Sequence, residues 1–207
     1  TNNQSNESKV YYGDYQFKRS YKKLQDLELI AGVSSTYTES EAQLYSGSGS
    51  PNNNLLNVSG YSQLEKLVMK KLRVSFGYRA EYYQLNDSVT NSASIVRGGL
   101  NYKIAEGTNV RMSFGQGYRF PTIAERFIKT SVGSFGVFDN PDLVPERSWN
   151  IEAGIRQGYK FGGFMGYLDV AVFRQKYINT IEYLFGFWDP SFALAGFKFL
   201  NLSLIHI

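Results

Sequence analysis

The chain has 207 residues and a formal net charge of +4, with 16% aromatic and 19% charged residues and glycine at 20 positions. This mixture of strand and turn formers points to β structure, and its basic residues are scattered singly, whereas nucleic-acid binders cluster them in runs. There is no cysteine and one histidine, His206, which excludes disulfide frameworks, thiolate metal sites, histidine-bound zinc and imidazole-based triads.

No stretch approaches the eighteen or so apolar residues of a membrane helix, whereas a transmembrane barrel would leave only a weak hydropathy signal. The opening TNNQSNESK has no basic segment followed by an apolar core, so an internal piece of an exported protein is expected. In chain order, the first alternation is Leu27, Leu29, Ala31 and Val33. Around Tyr61–Met69 the facing is ambiguous. Leu72–Leu85 is the clearest strand: Leu72, Val74, Phe76, Tyr78, Ala80 and Tyr82 alternate with Arg73, Ser75, Gly77, Arg79, Glu81 and Tyr83. The period returns at Val96, Leu100 and Tyr102 against Arg97 and Lys103, and at Val110, Met112 and Phe114 against Arg111 and Ser113. It recurs at Trp149, Ile151, Ala153 and Ile155 against Asn150, Glu152 and Arg156, while Phe164–Tyr177 is again ambiguous because bulges shift register.

The connections divide into two kinds, in strict alternation. Tight turns are expected near Leu24–Asp26, Lys70–Lys71, Glu106–Gly107 and Phe161–Gly163, and long polar loops at Gly47–Asn57, Asn86–Ser94, Pro121–Arg147 and Gly186–Gly196. Tyr82, Tyr83, Tyr118, Phe120, Trp149 and Trp188 fall beside the long loops, where they are expected to form an aromatic girdle. The predicted fold is all-β: a partial antiparallel transmembrane β-barrel, an open curved sheet of about nine strands. A soluble β-sandwich or lipocalin-like barrel shows the same alternation, but strand length, the bulky aromatic face and one-sided loops favour the membrane barrel. In that barrel Val74, Phe76, Val110, Phe114 and Ile151 face lipid, and Arg73, Arg79, Arg97, Arg111 and Arg156 face the lumen. Such a basic wall either attracts anionic cargo or merely solvates the lumen and contacts a plug.

Two motifs stand in residues 115–155: GQGYRFPTIAERF, then NPDLVPERSWNIEAGI. Their marked positions are Arg119, Phe120, Pro121 and Glu125, then Asn140, Pro141, Leu143, Pro145 and Glu146, with Trp149 and Glu152. Pro121 cannot donate to a ladder and ends a strand, and Asn140-Pro141 and Val144-Pro145 stiffen the returning chain. Loop architecture and ligand contact are both open for these residues. Phe127, Phe135, Phe138, Phe187 and Trp188 are candidates for a cargo-side aromatic platform or for packing between loops.

The paired motifs resemble the barrel of the TonB-dependent receptor family, and the resemblance extends over nearly all of residues 9–201. It implies a larger outer-membrane protein with a signal peptide, a segment that engages the TonB complex, an N-terminal plug and a barrel of about 22 strands. Residues 1–201 are then part of that barrel. The closing Leu-Ser-Leu-Ile-His-Ile, residues 202–207, matches the product of a transposon-derived sequencing adapter and is expected to be foreign. The implied function is TonB-dependent uptake of a scarce nutrient such as a ferric siderophore, with outer-membrane lipid, plug, TonB complex and a small-molecule or metal-chelate cargo as partners. No resident cofactor or metal and no nucleic-acid partner is expected. The alternatives are a passive porin-like channel and an outer-membrane hydrolase, the latter weakened by the lack of histidine outside the tail.

Overall fold

A computed structural model describes residues 5–24, 26–45, 50–87, 89–133, 135–188 and 195–202. The strands are β1 (Asn6–Tyr21), β2 (Leu27–Ala42), β3 (Asn52–Val68), β4 (Leu72–Leu85), β5 (Val89–Ala105), β6 (Thr108–Arg119), β7 (Thr130–Val132), β8 (Phe135–Phe138), β9 (Glu146–Phe161), β10 (Phe164–Ile178), β11 (Thr180–Phe187) and β12 (Ala195–Leu202). A short helix, α1 (Ile123–Phe127), lies between β6 and β7. Among the described residues no helix is long and apolar enough to cross a membrane, which says nothing of strands.

Eight strands in the order β1-β2-β3-β4-β5-β6-β9-β10 form one open antiparallel sheet, close to the expected count. The others form a second sheet, β11-β12-β8-β7, in which β12 and β8 run parallel. Side chains alternate along each strand, so the register sorts the large sheet into two faces. Arg73, Arg79 and Glu81 of β4 share one face with Glu65 and Tyr61 of β3, Arg97 of β5, Arg111 of β6, Glu152 and Arg156 of β9 and Asp169 of β10. The other carries Val74, Phe76, Leu100, Met112, Phe114, Ile151, Val170 and Val172, many of them exposed. One face is polar and the other apolar where the alternation is clear, whereas the two ambiguous segments are mixed, with Leu67 and Phe173 on the polar face and Lys66, Arg174 and Lys176 on the apolar one.

Local chemistry supports the pairing. Phe161 pairs with Phe164 across Gly162 and Gly163, whose φ values of +52° and +90° suit a two-residue hairpin. Gly32 stands opposite Tyr61, and a Cβ there would lie 2.5 Å from the Tyr61 ring. Glycine therefore lets that ring lie across β2, where its hydroxyl accepts from Gln16 Nε2 at 3.1 Å.

Several expected loops are shorter than the sequence suggests. Within Asn86–Ser94, residues Thr90, Asn91, Ser92 and Ser94 pair with Gln84, Tyr83, Tyr82 and Ala80, so the connection is a tight turn with Asn86 and Asp87 at positive φ. Polar composition signalled a loop, yet polar side chains are tolerated where a strand extends into water. Asn52–Asn57 belong to β3 for the same reason, and Gly186–Phe187 and Ala195–Gly196 belong to the β11–β12 hairpin. Residues 25, 46–49, 88, 134 and 189–194 of the expected turns and loops lie outside the described residues, as do 203–207 of the expected foreign tail.

Buried apolar residues gather at the long-loop end of the polar face: Ala42, Tyr45, Tyr83, Leu85, Ile123 and Phe127, with Leu55 and Phe120 against them. Tyr83 and Leu85 share strand parity with Arg79 and Glu81, so α1 folds back over the polar face. This corrects the aromatic girdle. Tyr82 and Trp149 lie on the apolar face, but Tyr83, one residue on from Tyr82, points the opposite way and is buried under α1 with Phe120 stacked on it at 4.2 Å, and Tyr118 packs edge-on against Phe120 at 4.7 Å and lines a cavity with Arg79 and Glu81.

Candidate functional site

The two sequence motifs meet at the loop end of the polar face. Arg119 ends β6 directly opposite Glu146, the first residue of β9, and its Nε donates to Glu146 Oε2 at 2.5 Å. Arg119 Nη1 donates to both Glu125 oxygens at 2.9 and 3.0 Å. Glu125 in turn closes a capping box: its Oε2 accepts from Thr122 N–H at 2.8 Å, and its own N–H donates to Thr122 Oγ1 at 3.2 Å. Both groups needed to start so short a helix are thus supplied locally. Glu146 also reaches out of the wall, accepting the Ile181 backbone N–H of β11 at 2.5 Å.

The prolines and Asn140 complete the cap. Pro121 is fully buried, and its carbonyl accepts from Tyr83 Oη at 2.9 Å. Leu143 and Pro145 are buried, whereas Pro141 is exposed. The Asn140 N–H donates to Arg126 O at 2.9 Å and its Nδ2 to Phe199 O of β12 at 2.8 Å. Asn201 exchanges two bonds of 2.8 Å with the Val144 backbone. The motif residues therefore hold one another and tie the excursion between β6 and β9 to the second sheet.

Arg126 has no counterpart among the expected site residues. It is 4% exposed, and Nη1 and Nη2 donate to the carbonyls of Pro141, at 2.6 Å, and Leu143. Burial lowers its pKa from the ordinary value, against the opposing influence of Tyr83 and Asp142. A buried arginine fits because its fork satisfies two carbonyls at once. The capping box, by contrast, was readable in the Thr-x-x-Glu of residues 122–125.

The candidate aromatics separate. Phe127 is buried in the cluster beneath α1 and takes the packing role. Phe138 is half-buried, and Trp188 packs over Gly186 while its Nε1 donates to Gly196 O at 3.0 Å. Phe135 and Phe187 are exposed; Phe135 lies 6.1 Å from Phe185, beside an unforeseen ladder in which Tyr183 stacks on Phe197 at 4.8 Å.

Below the cap, the five arginines share the polar face. Arg73 pairs with Glu65; Arg79 with Glu81 at 2.6 Å; Arg111 with Glu152 at 3.1 Å and Asp169 at 2.7 Å; and Arg156 with Asp169 at 3.8 Å. Arg97 has no carboxylate partner among the described residues and lines a shallow cavity of about 360 Å³ with Tyr61, Arg79, Glu81 and Ile95. Carboxylates thus offset most of the basic charge read from sequence. Among the described residues no three potential metal-ligating side chains gather. The arrangement is built to hold a shape and present polar groups.

The model of the family described as "TonB dependent receptor-like, beta-barrel" matches residues 1–194. Among solved structures, the siderophore receptor PirA from Pseudomonas aeruginosa superposes with a TM-score of 0.78 at 15% identity, over 97% of this chain and 38% of that one. A double mutant of the Serratia marcescens hemophore receptor HasR, in complex with its hemophore HasA and heme, gives 0.73 at 17% identity over 96% and 38%. The copper transporter OprC gives 0.67 at 14% identity over 97% and 34%. No curated protein sequence matches. At these identities the likeness carries the fold, and the chain spans little more than a third of the solved receptors' length.

Proposed function

The chain belongs to the TonB-dependent receptor β-barrel family, and on that premise we propose that its full-length protein imports a scarce nutrient, most specifically a ferric siderophore or similar iron complex, across the outer membrane. The observation that carries this reading is the two-faced sheet with its motif segment folded over the polar face. A wall of that kind has a lipid side, a lumen side and a shaped mouth. The named neighbours are a siderophore receptor, a hemophore receptor and a copper transporter, which supports nutrient uptake as the class.

In this reading Arg73, Arg79, Arg97, Arg111 and Arg156 line the lumen against the N-terminal plug. The network of Arg119, Phe120, Pro121, Glu125, Asn140, Pro141, Leu143, Pro145 and Glu146 shapes the mouth without touching cargo. Exposed Phe135 and Phe187 are the aromatics placed to meet it. Energy comes from the TonB complex through a segment outside this chain.

The test is uptake of radiolabelled ferric chelates by cells with and without the full-length gene, each with and without a working TonB complex. Uptake that needs both supports the reading. Gene-dependent but TonB-independent passage of small solutes would identify a passive channel instead.

A further inference from the structure

Between β5 and β6 the wall is not closed along its full height. Their ladder stops at Arg97–Gly115, although β5 reaches back to Val89 and β6 runs on to Arg119. Each strand stays paired on its other side over that stretch, β5 with β4 and β6 with β9. The two therefore part towards the loops. The rung that Val96 and Gln116 would form is replaced by a side chain, with Gln116 Oε1 accepting the Val96 N–H at 3.0 Å. Backbone groups left out of a ladder need water or another partner and are not tolerated against hydrocarbon. In a membrane wall such a slit is wet and lies above the hydrocarbon.

A cavity opens on each face of the slit. On the polar face, about 360 Å³ is lined by Tyr61, Arg79, Glu81 and Arg97; towards the apolar face, about 280 Å³ is lined by Ser92, Ser94, Gln116 and Arg147. Ile95, Gly117 and Tyr118 line both, so the same three residues divide them. Gly117 contributes no side chain, and a Cβ there would lie 2.5 Å from Ser148 Oγ. Tyr118 fills much of the break: its ring meets Phe120 edge-on at 4.7 Å and the Arg147 guanidinium at 5.6 Å. One aromatic ring, able to turn about its side-chain torsions, thus stands between the two cavities.

We propose that this slit is a side port through the wall, with Tyr118 as its door, that passes water and small hydrophilic solutes between the lumen and the outer surface of the barrel. A water molecule takes up about 30 Å³ in the liquid, so each cavity accommodates several. The need for a port follows from the cap. The segment carrying α1 leaves β6 at Arg119, packs on Tyr83 and Leu85 of β4 and Ala42 of β2, and donates Lys129 N–H to Leu44 O at 2.7 Å. It crosses β5 on the way, where Ala93 and Ile95 are buried. A lumen roofed in this manner must expel water when a bulky solute enters, and the slit opens beneath the roof. The port requires the polar face to line a lumen but depends on no particular cargo.

The test is cysteine reactivity in the full-length protein in nanodiscs, with Gln63→Cys, on the wall of the polar-face cavity, as reporter. The probes are a small methanethiosulfonate and a maleimide carried on a long polyethylene glycol chain. Tyr118→Ala is expected to raise the rate of the small reagent several-fold and to leave that of the large one unchanged, while Tyr118→Phe keeps the ring and should change neither. Ser94→Trp, which fills the slit from β5, should slow the small reagent several-fold. A cysteine at exposed Ser131 should react alike in every background. The two slit variants alter different strands, so if one fails to assemble the other still decides. An unchanged small-reagent rate in either variant that assembles overturns the proposal. So does joint acceleration of both reagents in Tyr118→Ala, which would mean that the cap and not the slit had opened. The readout involves no cargo: losing the port leaves the uptake reading standing, and losing the uptake reading leaves the port to be judged on these rates.

Discussion

Arg119 and Glu146 face each other on the last rung of the β6–β9 ladder, and their side chains meet at 2.5 Å. Because Arg119 also grips Glu125 and Glu146 also receives the Ile181 N–H, this one pair joins the wall, the α1 segment and β11.

Replacing Glu146 with Ala should therefore strand the Ile181 N–H, at a local cost of about 1–3 kcal/mol, while Arg119 keeps its bonds to Glu125. Hydrogen exchange at Ile181 is expected to accelerate at least several-fold, whereas Glu125→Ala should leave that amide unchanged. Unaltered protection of Ile181 in Glu146→Ala would show that the shared carboxylate is not the tie.

Arg126→Leu removes the donor for the Pro141 and Leu143 carbonyls, each left short by about 1–3 kcal/mol if water does not replace it. The expected result is rapid cleavage of residues 139–145 by proteinase K on intact cells. Arg126→Lys should restore only part of the resistance, since one ammonium cannot reproduce the fork. Full rescue by lysine would reduce the residue's role to charge.

The two faces should differ in tolerance. Phe114→Arg on the apolar face is expected to cost about 2–4 kcal/mol in urea unfolding from vesicles if it lies near mid-bilayer, and Arg111→Ala on the polar face far less. Equal sensitivity would argue against a membrane wall.

Topology is open to labelling. A cysteine at exposed Ser131, in the excursion beyond β6, should react with an impermeant maleimide on intact cells, and one at Glu106, in the turn at the other end, should not. The reverse pattern would invert the orientation.

Period-two alternation made the faces legible: Arg73 to Glu81 and Val74 to Tyr82 fall on opposite sides as read. Paired motifs marked the segment that folds over the loop end of the sheet, because Arg119, Glu125 and Glu146 are charged residues at strand and helix ends, where charge has a local use. Strand ends beyond the apolar band were hidden. Thr90 to Ser94 look like loop because nothing there needs to be apolar, and hydrogen-bond pairing alone extends the sheet. The second sheet was hidden for a different reason: β8 meets β12 across a long sequence separation, and no local pattern records a parallel pairing of four residues. Arg126 was illegible because its burial depends on where the carbonyls of Pro141 and Leu143 arrive.

The β6–β9 ladder runs without interruption although everything from residue 120 to 145 lies between the two strands. An excursion that leaves its parent hairpin intact is a replaceable module. Evolution can lengthen, shorten or exchange that stretch while the wall keeps its register, provided the Arg119–Glu146 rung survives to close the gate-post behind it.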